Sequence, residues 1–374
     1  TNVCGDSCYE DTNGCADIWP RKSVSRADQE MEGMFCVVGG DGFIGSSLVK
    51  SLINRGYSVH ATILTAPSTG KEELHYLQRL PGAHERLKLF NADLRMEGSF
   101  DSAIHGCQGV FLVASPTDFG SKDPENEVVD VAIKGTMNVL KSCVKAETVK
   151  RVIFTSSSCA MSPLDEQGEM NSKPHSVESC WSPVDYFRNN TKQFPVWPYF
   201  VSKTLAEQTA VSFAAEHNID VVTIGPSAVG GPFITPYIPS SIQTLLSFLP
   251  GNEELLMSIS RSIMSAFGTF PVVHINDVCN AHIFLMEQPA AQGRYLCSAH
   301  TLSVKEITEF LTNRYPELKI TDKLQDIVDS PVTANTQFKS GKLTELGFSF
   351  KYGLEDIFDD CIRSYMKLGL LTTQ

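Results

Sequence analysis

The sequence predicts an α/β protein built on a doubly wound parallel β-sheet, with a smaller, mostly helical C-terminal region. Strand-like and helix-like segments alternate over residues 34–230, and parallel strands need crossover helices between them. A cluster of glycines also falls where the first strand-like segment meets the first helical one. That junction is where folds of this kind bind phosphate groups.

Composition limits the function classes. The 374 residues include 43 acidic and 31 basic side chains, a net charge of −12, so the positive surface that nucleic acid needs is not expected. A hydrophobic share of 42% is that of an ordinary globular protein. No apolar run approaches the length of a membrane span. Eight of the eleven cysteines are scattered through predicted strands and helices without paired spacing. With no secretion signal, the cysteines are predicted to be mostly reduced, buried thiols in a cytoplasmic protein.

The first strand is the apolar run 35–38, and the first helix covers 44–54, where apolar residues recur at helical spacing before Arg55 and Gly56. Further runs rich in branched and aromatic residues predict strands at 58–63, 87–90, 109–114, 151–155 and 220–224. Helical periodicity predicts helices at 128–146, 201–217, 304–314 and 354–368.

Three regions follow from these patterns. Residues 1–33 are predicted to be a disordered leader, although Cys4, Cys8 and Cys15 leave open a small metal site that lacks a fourth ligand. Residues 34–230 form the nucleotide-binding domain. Residues 231–374, punctuated by prolines at their start, form the substrate-binding region, with some return of the chain to the core. We expect no metal in the functional site.

The glycine-rich run at 39–45 predicts a Rossmann-type dinucleotide site. Glycine at its first, fourth and seventh positions permits a tight turn, close approach to a pyrophosphate and close helix packing. A phosphate would repel the Asp41 carboxylate, so the Asp41 side chain is expected to point to solvent. The residues predicted to contact the dinucleotide here are Gly39, Gly42, Phe43, Ile44 and Gly45.

The residues at the end of the second strand do not indicate whether the coenzyme is NAD(H) or NADP(H). NAD sites carry an acid at the end of the second strand and NADP sites carry a base there, but residues 60–65 contain neither. Lys71 and its neighbours in the next loop are candidates for a 2′-phosphate, and a solvated lysine is an equal alternative. Asp93, beside Leu94 after the third strand, is interpreted as an acceptor for adenine or as a helix cap.

Tyr199 and Lys203 lie four residues apart near the start of a predicted helix, so they share one face. Ser157 follows the fifth strand. Together they predict a carbonyl-reduction site, in which a neighbouring ammonium lowers the pKa of a phenol that acts as general acid. Ser157 would hydrogen-bond the substrate oxygen.

At these residues the chain resembles the extended short-chain dehydrogenase/reductase family, in the plant branch that holds dihydroflavonol, anthocyanidin and vestitone reductases. The resemblance covers nearly everything after the leader. Its motifs are KDPENE at 122–127, VIFTSS at 152–157, YFVSKTLAE at 199–207, VHINDV at 273–278 and FSFKYG at 348–353.

The resemblance implies that Ser157, Tyr199 and Lys203 are the catalytic residues. It implies that Phe119, the loop after Ser157 and the insertion between Phe233 and Phe270 form the substrate pocket. Ser162 stands at a position where relatives carry a substrate-contacting asparagine. Further cofactor contacts implied by the family pattern are Val113, Ala114, Ser115, Pro226 and Ser227.

Two other departures from the family pattern bear on the coenzyme. Leu64 stands where relatives commonly have the arginine that binds the NADP 2′-phosphate, and Leu112 stands where many have histidine. Both departures weaken the NADP assignment. The family resemblance as a whole still implies an NADP(H)-dependent reductase of a ketone or related group on a flavonoid-like or other aromatic plant metabolite, and this is the leading expectation. The alternatives are an NAD(H)-dependent dehydrogenase that oxidises an alcohol or hemiacetal of an alkaloid-like substrate, and a nucleotide-sensing protein without catalysis.

Overall fold

The computed structural model describes residues 33–64, 75–169, 177–247, 254–317 and 336–368. Most of the predicted leader, its three cysteines and Lys71 lie outside the described residues. Within the described chain, seven parallel strands form the main sheet in the order β3-β2-β1-β4-β5-β6-β9. The strands of this sheet are β1 (Met34–Val38), β2 (Ser58–Ile63), β3 (Leu87–Asn91), β4 (Gly109–Leu112), β5 (Arg151–Thr155), β6 (Val221–Pro226) and β9 (Gly293–Cys297).

Helices cover both faces of this sheet. The described helices are α1 (Phe43–Asn54), α2 (Ala83–Arg86), α3 (Asp101–Ile104), α4 (Asp130–Ala146), α5 (Val184–Asn189), α6 (Trp197–His217), α7 (Ser240–Leu245), α8 (Glu254–Phe267), α9 (Ile275–Glu287), α10 (Val304–Arg314), α11 (Gly341–Glu345) and α12 (Leu354–Lys367). Short 3-10 turns occur at Tyr76–Arg79, Ser158–Ala160 and Val177–Ser179, and a π-helical turn at Glu125–Val129 precedes α4.

Alternation along each strand explains the two faces. In β1, Phe35 and Val37 pack with residues of α1 and α9, whereas Cys36 and Val38 pack with residues of α4 and α6. Successive side chains of a strand point to opposite faces. When helices cover both faces, consecutive residues are therefore apolar, as they are in β1. This arrangement confirms the predicted doubly wound α/β fold.

The chain from Ala228 onward contains strands that the sequence did not predict. A second sheet joins β7 (Ala228–Gly230), β8 (Phe270–His274) and β10 (His300–Leu302) in the order β10-β8-β7. β9 returns to the main sheet beside β6. These strands are three to five residues long, too short for alternation to distinguish them from loops.

Three boundaries near the functional site differ from the prediction. β6 covers Val221–Pro226 rather than residues 220–224. β4 ends at Leu112 rather than at residue 114, because the N–H groups of Val113 and Ala114 both donate to the Val38 carbonyl as the chain turns off the sheet. α6 begins at Trp197 rather than at residue 201, with a proline in its first turn. A proline there costs no helical hydrogen bond.

Cysteines and helix lengths bear on two sequence-based expectations. All eight cysteines of the described residues are free thiols, and all but Cys180 are buried. Among the helices of the described ranges, none combines the length and the apolar character that a bilayer span requires.

Candidate active site

A cavity of about 880 Å³ opens at the carboxyl ends of the central strands. It lies where the strand order reverses between β1 and β4, the position at which doubly wound sheets bind their ligands. The glycine-rich loop follows β1 on one side, and Val113, Ala114 and Ser115 follow β4 on the other. Both segments line the cavity.

Thr62 of β2 holds the glycine-rich loop by two hydrogen bonds. The Gly39 N–H donates to the Thr62 hydroxyl at 2.9 Å, and the Gly40 N–H donates to the Thr62 carbonyl at 2.7 Å. Gly39 has φ of +86° and lies against Ala114, where a Cβ would come within 2.8 Å of the backbone. Only glycine fits this turn.

The other two glycines have different surroundings. A Cβ on Gly45 would lie 2.0 Å from the Gly39 carbonyl oxygen, so Gly45 permits the close packing of α1 on the loop, and it does not line the cavity. A Cβ on Gly42 would meet only that carbonyl oxygen, at 3.5 Å. Gly42 caps α1 without a side-chain hydrogen bond and faces the cavity with Phe43 and Ile44. An uncovered helix N-terminus beside glycine suits a pyrophosphate.

Asp41 does not point to solvent as expected. Its carboxylate accepts a hydrogen bond from the Leu64 N–H at 3.0 Å, and the residue is half-buried on the cavity wall. The main-chain N–H after β2 needs a partner where the strand ladder ends, and the Asp41 side chain supplies it. The prediction for this side chain was therefore wrong.

Ser157, Tyr199 and Lys203 all line the same cavity. Ser157 follows β5, and its hydroxyl accepts the Cys159 N–H at 3.1 Å. Tyr199 lies in the first turn of α6 and is half-buried. Lys203, one helical turn later, is 5% exposed and donates to the Thr155 carbonyl at 3.1 Å. The strand end and the helix start thus bring the three side chains together.

Protonation in this structure differs from the expectation. Burial raises the pKa of Tyr199 above its ordinary value, and the interaction with the Ser157 hydroxyl partly opposes that rise. Burial lowers the pKa of Lys203 to about 8, and the Glu207 charge limits the fall. The Lys203 ammonium donates its hydrogen bond to the Thr155 carbonyl in this structure. The phenol keeps its proton, which a general acid requires.

A buried ionic network supports the loop that carries Ser157, and the sequence analysis missed it. Glu207 is 0% exposed and accepts hydrogen bonds from Ser156 at 2.6 Å, Thr223 at 2.6 Å and Arg294 at 2.9 Å. Arg294 also donates to the Ala160 carbonyl at 3.2 Å. A signal was present, because Glu207 follows Lys203 by four residues on the same helix face.

The remaining predicted contacts divide into two groups. Asp93, Leu94, Pro226, Ser227 and Phe119 line the cavity, and the Phe119 ring lies 5.7 Å from that of Tyr199. The Asp93 carboxylate pairs with Arg95 at 2.7 Å and accepts the Arg95 N–H, so it closes a local turn and caps no helix. The Arg95 hydrogen bond holds the pKa of Asp93 below its usual value.

Ser162 does not reach the substrate cavity. It is fully buried, its N–H donates to the Ser182 hydroxyl at 2.9 Å, and its own hydroxyl accepts the Leu164 N–H at 3.3 Å. The short side chain is used in this turn and is absent from the cavity wall. The structure therefore gives no support for substrate contact by Ser162.

Comparison with known proteins identifies the family. The model of the NAD dependent epimerase/dehydratase family matches residues 35–297. The chain belongs to this family. A Ginkgo biloba protein assigned as an anthocyanidin reductase is 47% identical over 90% of this chain and 95% of its own length. A bifunctional dihydroflavonol 4-reductase/flavanone 4-reductase of Malus domestica is 44% identical over 90% of this chain and 91% of its own.

The structural comparison agrees. The crystal structure of vestitone reductase from alfalfa is 37% identical, covers 91% of this chain and 100% of its own, and has a TM-score of 0.72. The sequence-based assignment to the dihydroflavonol and anthocyanidin reductase branch of the extended short-chain dehydrogenase/reductases is confirmed. The protein is accordingly an NAD(P)-dependent oxidoreductase that acts on carbonyl or alcohol groups.

Proposed function

We propose that this protein reduces a ketone or related group on a flavonoid-like phenolic substrate, with Ser157, Tyr199 and Lys203 as its catalytic residues. The observation that carries the proposal is that all three side chains face the cavity that the glycine-rich loop enters. The carbonyl group must lie beside both the nicotinamide and a proton donor. One cavity offers both positions.

Each residue has a distinct task in this proposal. A reduced nicotinamide held in this cavity would supply the hydride for the carbonyl carbon. Ser157 donates a hydrogen bond to the carbonyl oxygen and orients it. Tyr199 transfers its proton to that oxygen, so that the carbonyl becomes an alcohol and the phenol a phenolate. Lys203 stabilises the phenolate with its positive charge, and a pKa of about 8 leaves it mostly protonated near neutral pH.

The substrate class is inferred from the far wall of the cavity and from the relatives. Aromatic and aliphatic side chains from α6 and the residue before it, from α8 and from the loop after β4 form that wall: Phe119, Val196, Phe200, Ile259 and Ile263. Flat apolar surfaces of this kind suit fused aromatic rings. The relatives named above act on dihydroflavonols, flavanones and anthocyanidins by their names, which supports a flavonoid-like substrate.

The test is a turnover assay with the full chain. Dihydroflavonols, flavanones, anthocyanidins and vestitone are each offered with NADH and with NADPH, and coenzyme oxidation and product are followed by absorbance and chromatography. We expect reduction of at least one class, and a Tyr199→Phe loss of kcat of about 100-fold or more with coenzyme binding retained. Full turnover by Tyr199→Phe would overturn the mechanism.

The two alternatives give different results in the same assay. Coenzyme binding without turnover of any carbonyl supports the nucleotide-sensing alternative. Oxidation of alcohols with NAD+ that outpaces every reduction supports the dehydrogenase alternative. NADPH is the coenzyme favoured by the resemblance, with NADH as the rival. That preference and the cytoplasmic location stay predictions.

A further inference from the structure

The adenosine end of the cavity carries a negative charge from an unusual place in the chain. Asp41 belongs to the glycine-rich loop between β1 and α1, yet its carboxylate reaches the end of β2, where it accepts the Leu64 N–H at 3.0 Å. Both residues line the cavity. The end of β2 is where the two adenosine ribose hydroxyls of a bound dinucleotide lie in this fold.

The position of Asp41 is fixed by two tyrosines. Its carbonyl oxygen accepts the Tyr76 hydroxyl at 2.8 Å and the Tyr237 hydroxyl at 2.9 Å. Together with the Leu64 contact, these bonds hold both the main chain and the side chain of Asp41. A charge that is held in place discriminates between ligands better than one that can swing away.

Among the described residues that line the cavity, no free basic side chain is available at the adenosine end to bind a 2′-phosphate. The basic residues of the cavity wall within the described ranges are Arg95 and Lys203. Arg95 is paired with Asp93 at 2.7 Å, and Lys203 donates to Thr155 at the nicotinamide end. Leu64, 61% exposed, offers a 2′-phosphate no charge.

We propose that Asp41 selects the coenzyme: its carboxylate accepts a hydrogen bond from the ribose 2′-hydroxyl of NAD(H) and repels the 2′-phosphate of NADP(H). It thereby does from the glycine-rich loop what an acid at the end of β2 does in other NAD sites. The inference rests on the proposed dinucleotide site and replaces the NADPH preference that the family resemblance favours.

Direct binding tests this without any substrate. Calorimetric titration of the full chain with NADH and NADPH is expected to give at least about tenfold tighter binding of NADH. The fragments 5′-AMP and adenosine 2′,5′-bisphosphate, which differ only by the 2′-phosphate, should show the same order. Equal or tighter binding of NADPH would overturn the proposal.

Variants separate charge from shape. Asp41→Asn keeps an oxygen for the Leu64 N–H but removes the charge, and should raise the NADPH-to-NADH affinity ratio about tenfold. Adding Leu64→Arg should raise it further. Glu216→Gln, on the exposed last turn of α6, changes the net charge equally and should leave the ratio unchanged. An unchanged ratio in Asp41→Asn contradicts the proposal.

The dependence of the NADPH-to-NADH affinity ratio on salt tests the charge of Asp41. A purely structural role of Asp41 would not make this ratio depend on salt. Because added salt screens charge repulsion, the wild-type preference for NADH should shrink as ionic strength rises, and the Asp41→Asn ratio should change less. Equal salt responses in the two proteins would contradict the proposal. Binding of neither coenzyme would overturn the proposed function as well, whereas tight NADPH binding would overturn only the role of Asp41.

Discussion

The Arg294 guanidinium is ion-paired with the Glu207 carboxylate, with 2.9 Å between Nε and Oε1. Glu207 lies on α6, one turn after Lys203, and Arg294 lies on β9. Arg294 also stacks on Trp181, with 3.6 Å from Cζ to the ring centroid. The pair therefore joins the helix of the proposed catalytic residues to the edge strand of the sheet and to the loop after Ser157.

Breaking this pair on one side should destabilise the fold strongly. Arg294→Met leaves the Glu207 carboxylate buried without its cation, and we expect the free energy of unfolding to fall by about 3–5 kcal/mol. The double variant Glu207→Gln/Arg294→Met removes both charges and should recover part of this loss. Urea unfolding measures both.

The control for this pair is Lys134→Ala, which breaks the exposed Lys134–Asp130 pair of α4. Its effect on unfolding should stay within about 0.5 kcal/mol. If Arg294→Met is as mild as Lys134→Ala, the network does not hold the loop.

Two glycines of the same loop should respond differently to alanine. Gly45→Ala puts a Cβ 2.0 Å from the Gly39 carbonyl oxygen, so we expect a loss of about 1–3 kcal/mol or more in the free energy of unfolding. Gly42→Ala adds a Cβ with room on the protein side and should unfold nearly as the wild type does. It should still weaken coenzyme binding about tenfold or more, because the methyl group faces the phosphate position.

Thermal unfolding and coenzyme titration of the two variants check this division of roles. A Gly42→Ala protein that binds coenzyme normally would mean that the pyrophosphate does not approach this glycine.

Sequence patterns predicted the central sheet well because its strands are covered on both faces. β2 and β5 begin and end at the predicted residues, since each contains buried β-branched side chains, Val59 and Thr62 in β2 and Val152 and Ile153 in β5. β9 of the central sheet, and β7, β8 and β10 of the second sheet, escaped prediction because each is short and its partners lie far away in the chain. Local pattern carries no information on such pairing.

In the candidate site, too, local sequence pattern predicted some residues and missed the contacts between distant ones. Tyr199 and Lys203 are four residues apart on one helix, so their shared face follows from helical geometry alone. The contact of Asp41 with Leu64 and that of Glu207 with Arg294 join residues 23 and 87 positions apart. Only the assembled fold brings these pairs together, so the sequence misassigned Asp41 and overlooked Glu207.

Burial of Lys203 should make stability depend on pH in a definite direction. Its pKa falls from the ordinary 10.5 to about 8 in the folded chain, so between those values the unfolded chain holds a proton that the folded chain has released. Stability then rises with pH in this window. The wild-type minus Lys203→Met difference in unfolding free energy should grow by about 2 kcal/mol from about pH 7.5 to about pH 9.5.

Urea unfolding at the two pH values gives that difference. Lys192→Met, at an exposed lysine, is the matched control and should show no growth over the same interval. A difference that stays constant or shrinks for Lys203→Met would mean that the buried lysine is not destabilised in its charged form.

Phe119 should matter to the substrate more than to the coenzyme. Its ring lies 5.7 Å from the Tyr199 ring at an interplanar angle of 49°, and it forms part of the apolar wall. Phe119→Ala removes a surface for an aromatic substrate and a support for the phenol. We expect KM for the substrate to rise about tenfold and kcat to fall because Tyr199 is less well oriented.

Phe119→Leu keeps an apolar side chain without the aromatic face, so it should retain more of the kcat, while its KM should still rise. Steady-state kinetics with a small panel of flavonoid substrates measures the effects on KM and kcat. Calorimetric titration measures the affinity for the coenzyme separately. The coenzyme Kd should stay within about threefold of wild type in both variants, because the nucleotide contacts come from other loops. A coenzyme Kd that rises in step with KM would mean that Phe119 lies against the nicotinamide instead of the substrate.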